Sequence, residues 1–134
     1  MLTELSREQH LANRTTWKAF AAKRYEGYGY PYLLQCLLRG KDPLKAFPPV
    51  HTERGMRRVP NGLGRHWRLE RAITWVRGIL GTARQDGFIQ LQIPTTFDVT
   101  TFKWNYDTYR FEVTTTMLDE MAETLAYVEA HLSK

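Results

Sequence analysis

Eight arginines and no lysine lie between residues 51 and 84, against two glutamates. They are Arg54, Arg57, Arg58, Arg65, Arg68, Arg71, Arg77 and Arg84. A guanidinium presents a planar fork of donors that grips phosphate oxygens two at a time. Arg65, Arg68 and Arg71 recur every third residue, so on a helix neighbouring members share a side. Arg54, Arg57 and Arg58 stand on the segment leading into that helix, where free backbone N–H groups also attract anions. This pattern predicts a surface for a nucleic-acid backbone, with Arg54, Arg57, Arg58, Arg65, Arg68 and Arg71 as its contacts. The competing reading is a solvated helix face whose guanidinium groups pair with carboxylates near the C-terminus.

Aromatic residues form two further sets. Tyr25, Tyr28, Tyr30 and Tyr32 alternate with Gly27, Gly29 and Pro31. Tyr28 and Tyr30 are candidates for stacking on bases, and the plain alternative is that the rings pack over adjacent helices. Phe102, Trp104 and Tyr106 fall on one side of a strand, where core packing is the expectation. Exposure of Trp104 beside Lys103 points instead to a binding surface, with Trp104 as a third stacking residue.

Little supports catalysis. His51 with Glu53 and Arg54, or His66 beside Arg65 and Arg68, carries the groups of a small ribonuclease-like toxin, an acid–base residue and a phosphate clamp. His10 and His131 stand apart, and with a single cysteine no zinc-ligand spacing exists. The expectation is therefore no metal and no cofactor. Cys36, inside the apolar run Leu33–Leu38, reads as a small buried hydrophobe.

The charge that surrounds these residues is polarised. Net charge is +5, made of +4 over residues 1–50, +6 over 51–84 and −5 over 85–134. Such a layout suits one face for an anionic partner and another that repels it. The 134 residues match one domain, 1–134, with 43% hydrophobic and 25% charged residues, enough for a core without disulfides. The charged start, Met1–His10, lacks the apolar stretch of a signal peptide, and no apolar run approaches a membrane span. The expected location is the cytoplasm, without membrane contact.

The elements that must position these groups follow from periodicity and caps. Ser6 with Gln9 forms a capping box that opens a helix from Arg7 to about Tyr25, with Leu11, Trp17, Phe20, Ala21 and Tyr25 as its buried stripe. Pro31 opens a second helix that Gly40 stops, and Asp42-Pro43 caps one more turn. Leu69, Ala72, Ile73, Val76, Ile79 and Leu80 define a third helix over about residues 65–84, closed by Asp86-Gly87. Alternation then predicts three antiparallel strands, around Ile89–Ile93, Phe97–Thr101 and Tyr109–Val113. Pro94 separates the first two, and Asn105-Tyr106-Asp107 bends the last two apart. A final amphipathic helix, capped by Thr116, has Asp119 and Glu120 in its first turn and buries Leu118, Met121, Leu125, Val128 and Leu132. The expected class is α+β: N-terminal helices, a roughly three-stranded antiparallel sheet, and the C-terminal helix packed on it.

The functional expectation is a small non-enzymatic binding protein for nucleic acid, DNA or RNA. The helix-then-strands order also permits a winged helix-turn-helix, with residues 65–84 reading the groove. An alternative class is a protein-binding inhibitor or adaptor of the phage or mobile-element type, blocking a host or defence complex. There the tyrosines and arginines anchor an acidic protein surface. A dimer through the stripe of the C-terminal helix is a further expectation.

Overall fold

The computed structural model describes residues 4–23, 29–47 and 63–132, and for residues 63–67 the helical backbone alone. Five helices and two strands occur among them: α1 Arg7–Ala22, α2 Tyr30–Arg39, α3 Pro43–Ala46, α4 Leu63–Asp86, β1 Phe88–Asp98, β2 Lys103–Glu112 and α5 Thr115–Leu132. The class is α+β. The chain groups into two compact units, residues 1–23 with 79–118, and residues 24–78 with 119–134.

In the first unit, Ser6 accepts the Gln9 N–H and the Gln9 side chain returns to the Ser6 N–H, so the capping box fixes the start of α1. Phe20 is fully buried and packs between Tyr109 at 4.9 Å and Phe111 at 5.8 Å, so α1 is the helix that covers β2 in this unit. The rest of the expected stripe is weaker. Leu11 is exposed, Trp17 and Ala21 are half-buried, and Tyr25 lies outside the described residues. Asn13 completes the contact. Its amide donates to the Glu112 carbonyl at 2.9 Å and accepts the Glu112 N–H at 2.8 Å. This end of β2 therefore has both outward backbone groups satisfied by one side chain.

The sheet has two strands, β1 and β2, paired antiparallel. Three strands were expected because Pro94 cannot donate to a ladder. In a two-stranded ribbon each strand has an open edge, so proline is tolerated and β1 continues through it. A register shift between Pro94 and Phe97 absorbs the irregularity. Asn105-Tyr106-Asp107 lies inside β2 and is no bend; the turn spans residues 99–102. That loop, Val-Thr-Thr-Phe, has no glycine, proline or asparagine, so its composition hides it. The Asp98 carboxylate makes the turn by accepting the Thr100 N–H at 2.9 Å. Phe102 closes it at φ 56°, a left-handed conformation uncommon for a bulky residue.

In the second unit, Gly40 ends α2 at φ 69°, and Asp42 caps α3 through the Leu44 N–H. Leu33, Leu34, Cys36, Phe47, Leu69, Ile73 and Val76 are buried, and so are Met121, Leu125 and Val128 of α5. The cap of α5 is Thr114, whose Oγ1 accepts the Met117 N–H, and not Thr116. A helix beginning at Thr115 puts Asp119 and Glu120 beyond its first turn. The α5 stripe is already buried within the chain, apart from half-buried Leu132. A dimer seam along it would first have to expose those residues to water. No helix among the described residues is long and apolar enough to cross a membrane.

Candidate nucleic-acid interface

Helix α4 positions the arginines. At about 100° per residue, its buried side chains Leu69, Ala72, Ile73 and Val76 gather on one face. Arg68, Arg71 and Trp75 fall along one flank of that face, within an arc of about 60°. Arg77 falls on the opposite flank. The arginines of α4 therefore do not all share one side of the helix.

Trp75 is the residue on that flank that sequence reasoning passed over. It is 59% exposed, and its ring stacks on Tyr30 of α2 with centroids 5.4 Å apart and planes 23° apart. Burial on that side raises the Tyr30 hydroxyl pKa above its ordinary value. Spacing carried a signal for Trp75: it stands off the apolar stripe, four residues after Arg71 and seven after Arg68. An aromatic residue at that offset faces away from the helix's core side.

The other expected contacts divide clearly. Arg54, Arg57, Arg58 and Tyr28 lie outside the described residues, as does His51 with Glu53. Arg65 and His66 stand on the first turn of α4, and their side chains are likewise outside the description. Arg68 is half-buried and Arg71 exposed, and both have interactions within the chain. Tyr32 follows the plain reading. Its hydroxyl donates to the Ala46 carbonyl at 3.2 Å, and its ring meets Phe47 edge-on.

Pairing with the acidic C-terminal helix is real at Arg77. Both guanidinium ends donate to Glu129, at 2.9 and 2.7 Å. The hydrogen bonds hold the Glu129 carboxyl below its ordinary range and raise the Arg77 pKa. Arg77 is thereby neutralised and contributes little to an external field.

Trp104 is half-exposed in β2, at 52%, and Tyr106 and Phe102 are exposed with it, so the core-packing expectation for this set is overturned. The reason is register. Trp104 and Tyr106 share the side of the ribbon carrying Thr108 and Arg110, opposite the buried Tyr109 and Phe111.

Among the described residues no group of three His, Cys, Asp or Glu side chains is placed to hold a metal. Cys36 is buried, and that burial raises its thiol pKa against the pull of Lys41 and Arg39. An open cleft of about 240 Å³ between α2–α3 and α5 is lined by Lys41, Asp42, Thr124 and Tyr127 among others. It is smaller than ordinary ligand pockets, and Asp42 is already used as a cap. Comparison with family models, curated proteins and solved structures gives no match to this chain.

Proposed function

We propose that this chain is a small non-enzymatic protein that binds nucleic acid along one flank of α4. Arg68 and Arg71 hold the phosphate backbone, and Arg54, Arg57, Arg58 and Arg65, which precede them in the sequence, are the further contacts its arginine pattern nominates. Trp75, backed by Tyr30, offers a ring to an unstacked base. The observation that carries this reading is the placement of two arginines and an exposed tryptophan on one narrow arc. Phosphate-gripping forks beside a stacking surface are the two parts that single-strand binders combine. The net positive charge of residues 51–84, apart from Arg77, supplies the long-range attraction.

The test is fluorescence anisotropy of a labelled single strand and a labelled duplex, with the intact chain and with an Arg68→Ala/Arg71→Ala variant. Binding that weakens steeply with salt, and weakens further in the variant, supports the proposal. Binding of neither probe at low salt removes it.

A further inference from the structure

Helix α4 carries its exposed tryptophan in a fixed pose. Tyr30 is the first residue of α2, between the cap residue Gly29 and buried Pro31, whose ring fixes the local backbone. The Leu33 N–H donates to the Gly29 carbonyl at 3.1 Å and closes that first turn. Tyr30 is half-buried. Its ring lies against Trp75 at 5.4 Å with planes 23° apart, an offset stack of the kind aromatic pairs prefer. Trp75, although 59% exposed, is therefore backed by a ring rooted on a second helix. Within the same compact unit, Arg71 precedes it by about one turn of α4 and Arg68 by about two.

Charge and ring favour different partners. A duplex carries the denser phosphate charge, one per about 1.7 Å of axis, so guanidinium groups acting alone favour the duplex. A duplex also keeps its bases stacked on one another, and offers Trp75 no ring face unless a base is extruded. Stacking one base on an aromatic side chain is worth roughly 5- to 150-fold in affinity. Extrusion from a duplex costs a comparable amount, so a paired base gains nothing net from Trp75. An unpaired base gains all of it. The size of that gain depends on pose. A tryptophan without backing gives up rotamer freedom when a base lands on it, and Tyr30 removes that cost in advance.

We infer, resting on the reading that the α4 flank binds nucleic acid, that the Tyr30–Trp75 stack confines this site to unpaired strands, with Trp75 as the stacking residue and Tyr30 as the residue that positions it. The test is fluorescence anisotropy at one salt concentration with three labelled probes of equal phosphate number: a single strand, its abasic copy and a duplex. The intact chain binds the base-bearing strand ~10-fold tighter than the abasic copy, within the range for one stacked base, and tighter than the duplex. Trp75→Ala removes the first ratio. Tyr30→Ala lowers it at least ~3-fold, the size of one side chain's lost freedom, while the abasic strand binds as before. Tyr30→Phe, which keeps the ring, retains the ratio. Equal affinity of the intact chain for base-bearing and abasic strands overturns the inference and leaves the arginine contacts standing, and so does tighter binding of the duplex. Tyr30→Ala weakening both strands alike, or neither, overturns the positioning role. Binding of no probe removes the inference together with the reading it rests on.

Discussion

Two exposed aromatic groups on this chain have similar rings and opposite surroundings. Trp75, with Tyr30 behind it, stands on a helix flank beside Arg68 and Arg71. Phe97, Phe102 and Trp104 stand on the outer half of a ribbon, residues 94–106, whose only charges, Asp98 and Lys103, cancel. A ring by itself says only that apolar area is offered. Its neighbours decide to what: guanidinium forks add phosphate recognition, and neutral threonines leave surface area and shape to act alone. One group should therefore respond to salt and the other should not.

The largest expected effect tests the scaffold beneath the neutral group. Phe20→Ala empties the space between Tyr109 and Phe111 and should cost about 3–5 kcal/mol of stability. Chemical denaturation measures it, as a midpoint shifted far toward zero denaturant. Trp75→Ala comes next. It should weaken single-strand binding by about 1–3 kcal/mol, whereas Trp104→Ala should leave that binding unchanged. An equal loss from Trp104→Ala would erase the distinction between the two groups. Asn13→Ala strips partners from the N–H and carbonyl of Glu112 and should cost about 1–3 kcal/mol. Hydrogen exchange at the Glu112 amide would report it directly.

A smaller effect concerns Cys36. Its burial keeps the thiol protonated above the ordinary cysteine range, so a thiol reagent at mildly alkaline pH should react slowly with the folded chain and rapidly in denaturant. The smallest concerns Arg77, on the opposite flank of α4. The Glu129 carboxyl is depressed in the folded chain by Arg77. Its contribution is therefore full above the ordinary glutamate pKa and is lost as pH falls through the lower, folded value. Glu129→Gln should flatten that acid limb of the stability curve slightly, and should slightly strengthen oligonucleotide binding by releasing Arg77.

Much of the backbone could be read from the sequence, because caps and stops are local. Ser6 with Gln9, Pro31, Gly40, Asp42 and Gly87 act where their side chains or φ angles demand. The sheet was misread where long-range pairing overrides local signals. Pro94 breaks a strand only if both of its edges are paired, and composition does not count edges. The turn at 99–102 rests on one Asp98 side chain and a strained Phe102. Which strand face is buried depends on where α1 lands, and so Trp104 was assigned to the core. For the candidate site, the helix and its arginine spacing were legible. The contribution of Trp75 depended on Tyr30, 45 positions earlier in the chain, which periodicity does not register.

The central claim, that the α4 flank binds nucleic acid through Arg68 and Arg71, is tested most directly by the salt slope of single-strand affinity. The intact chain and Arg68→Ala/Arg71→Ala should be compared from ~50 to ~200 mM salt. The account predicts a linear loss of log affinity with log salt, with a slope shallower by about 1.4 in the double variant, roughly 0.7 per lost phosphate contact. An identical slope for both proteins, or no binding at the lowest salt, would contradict it.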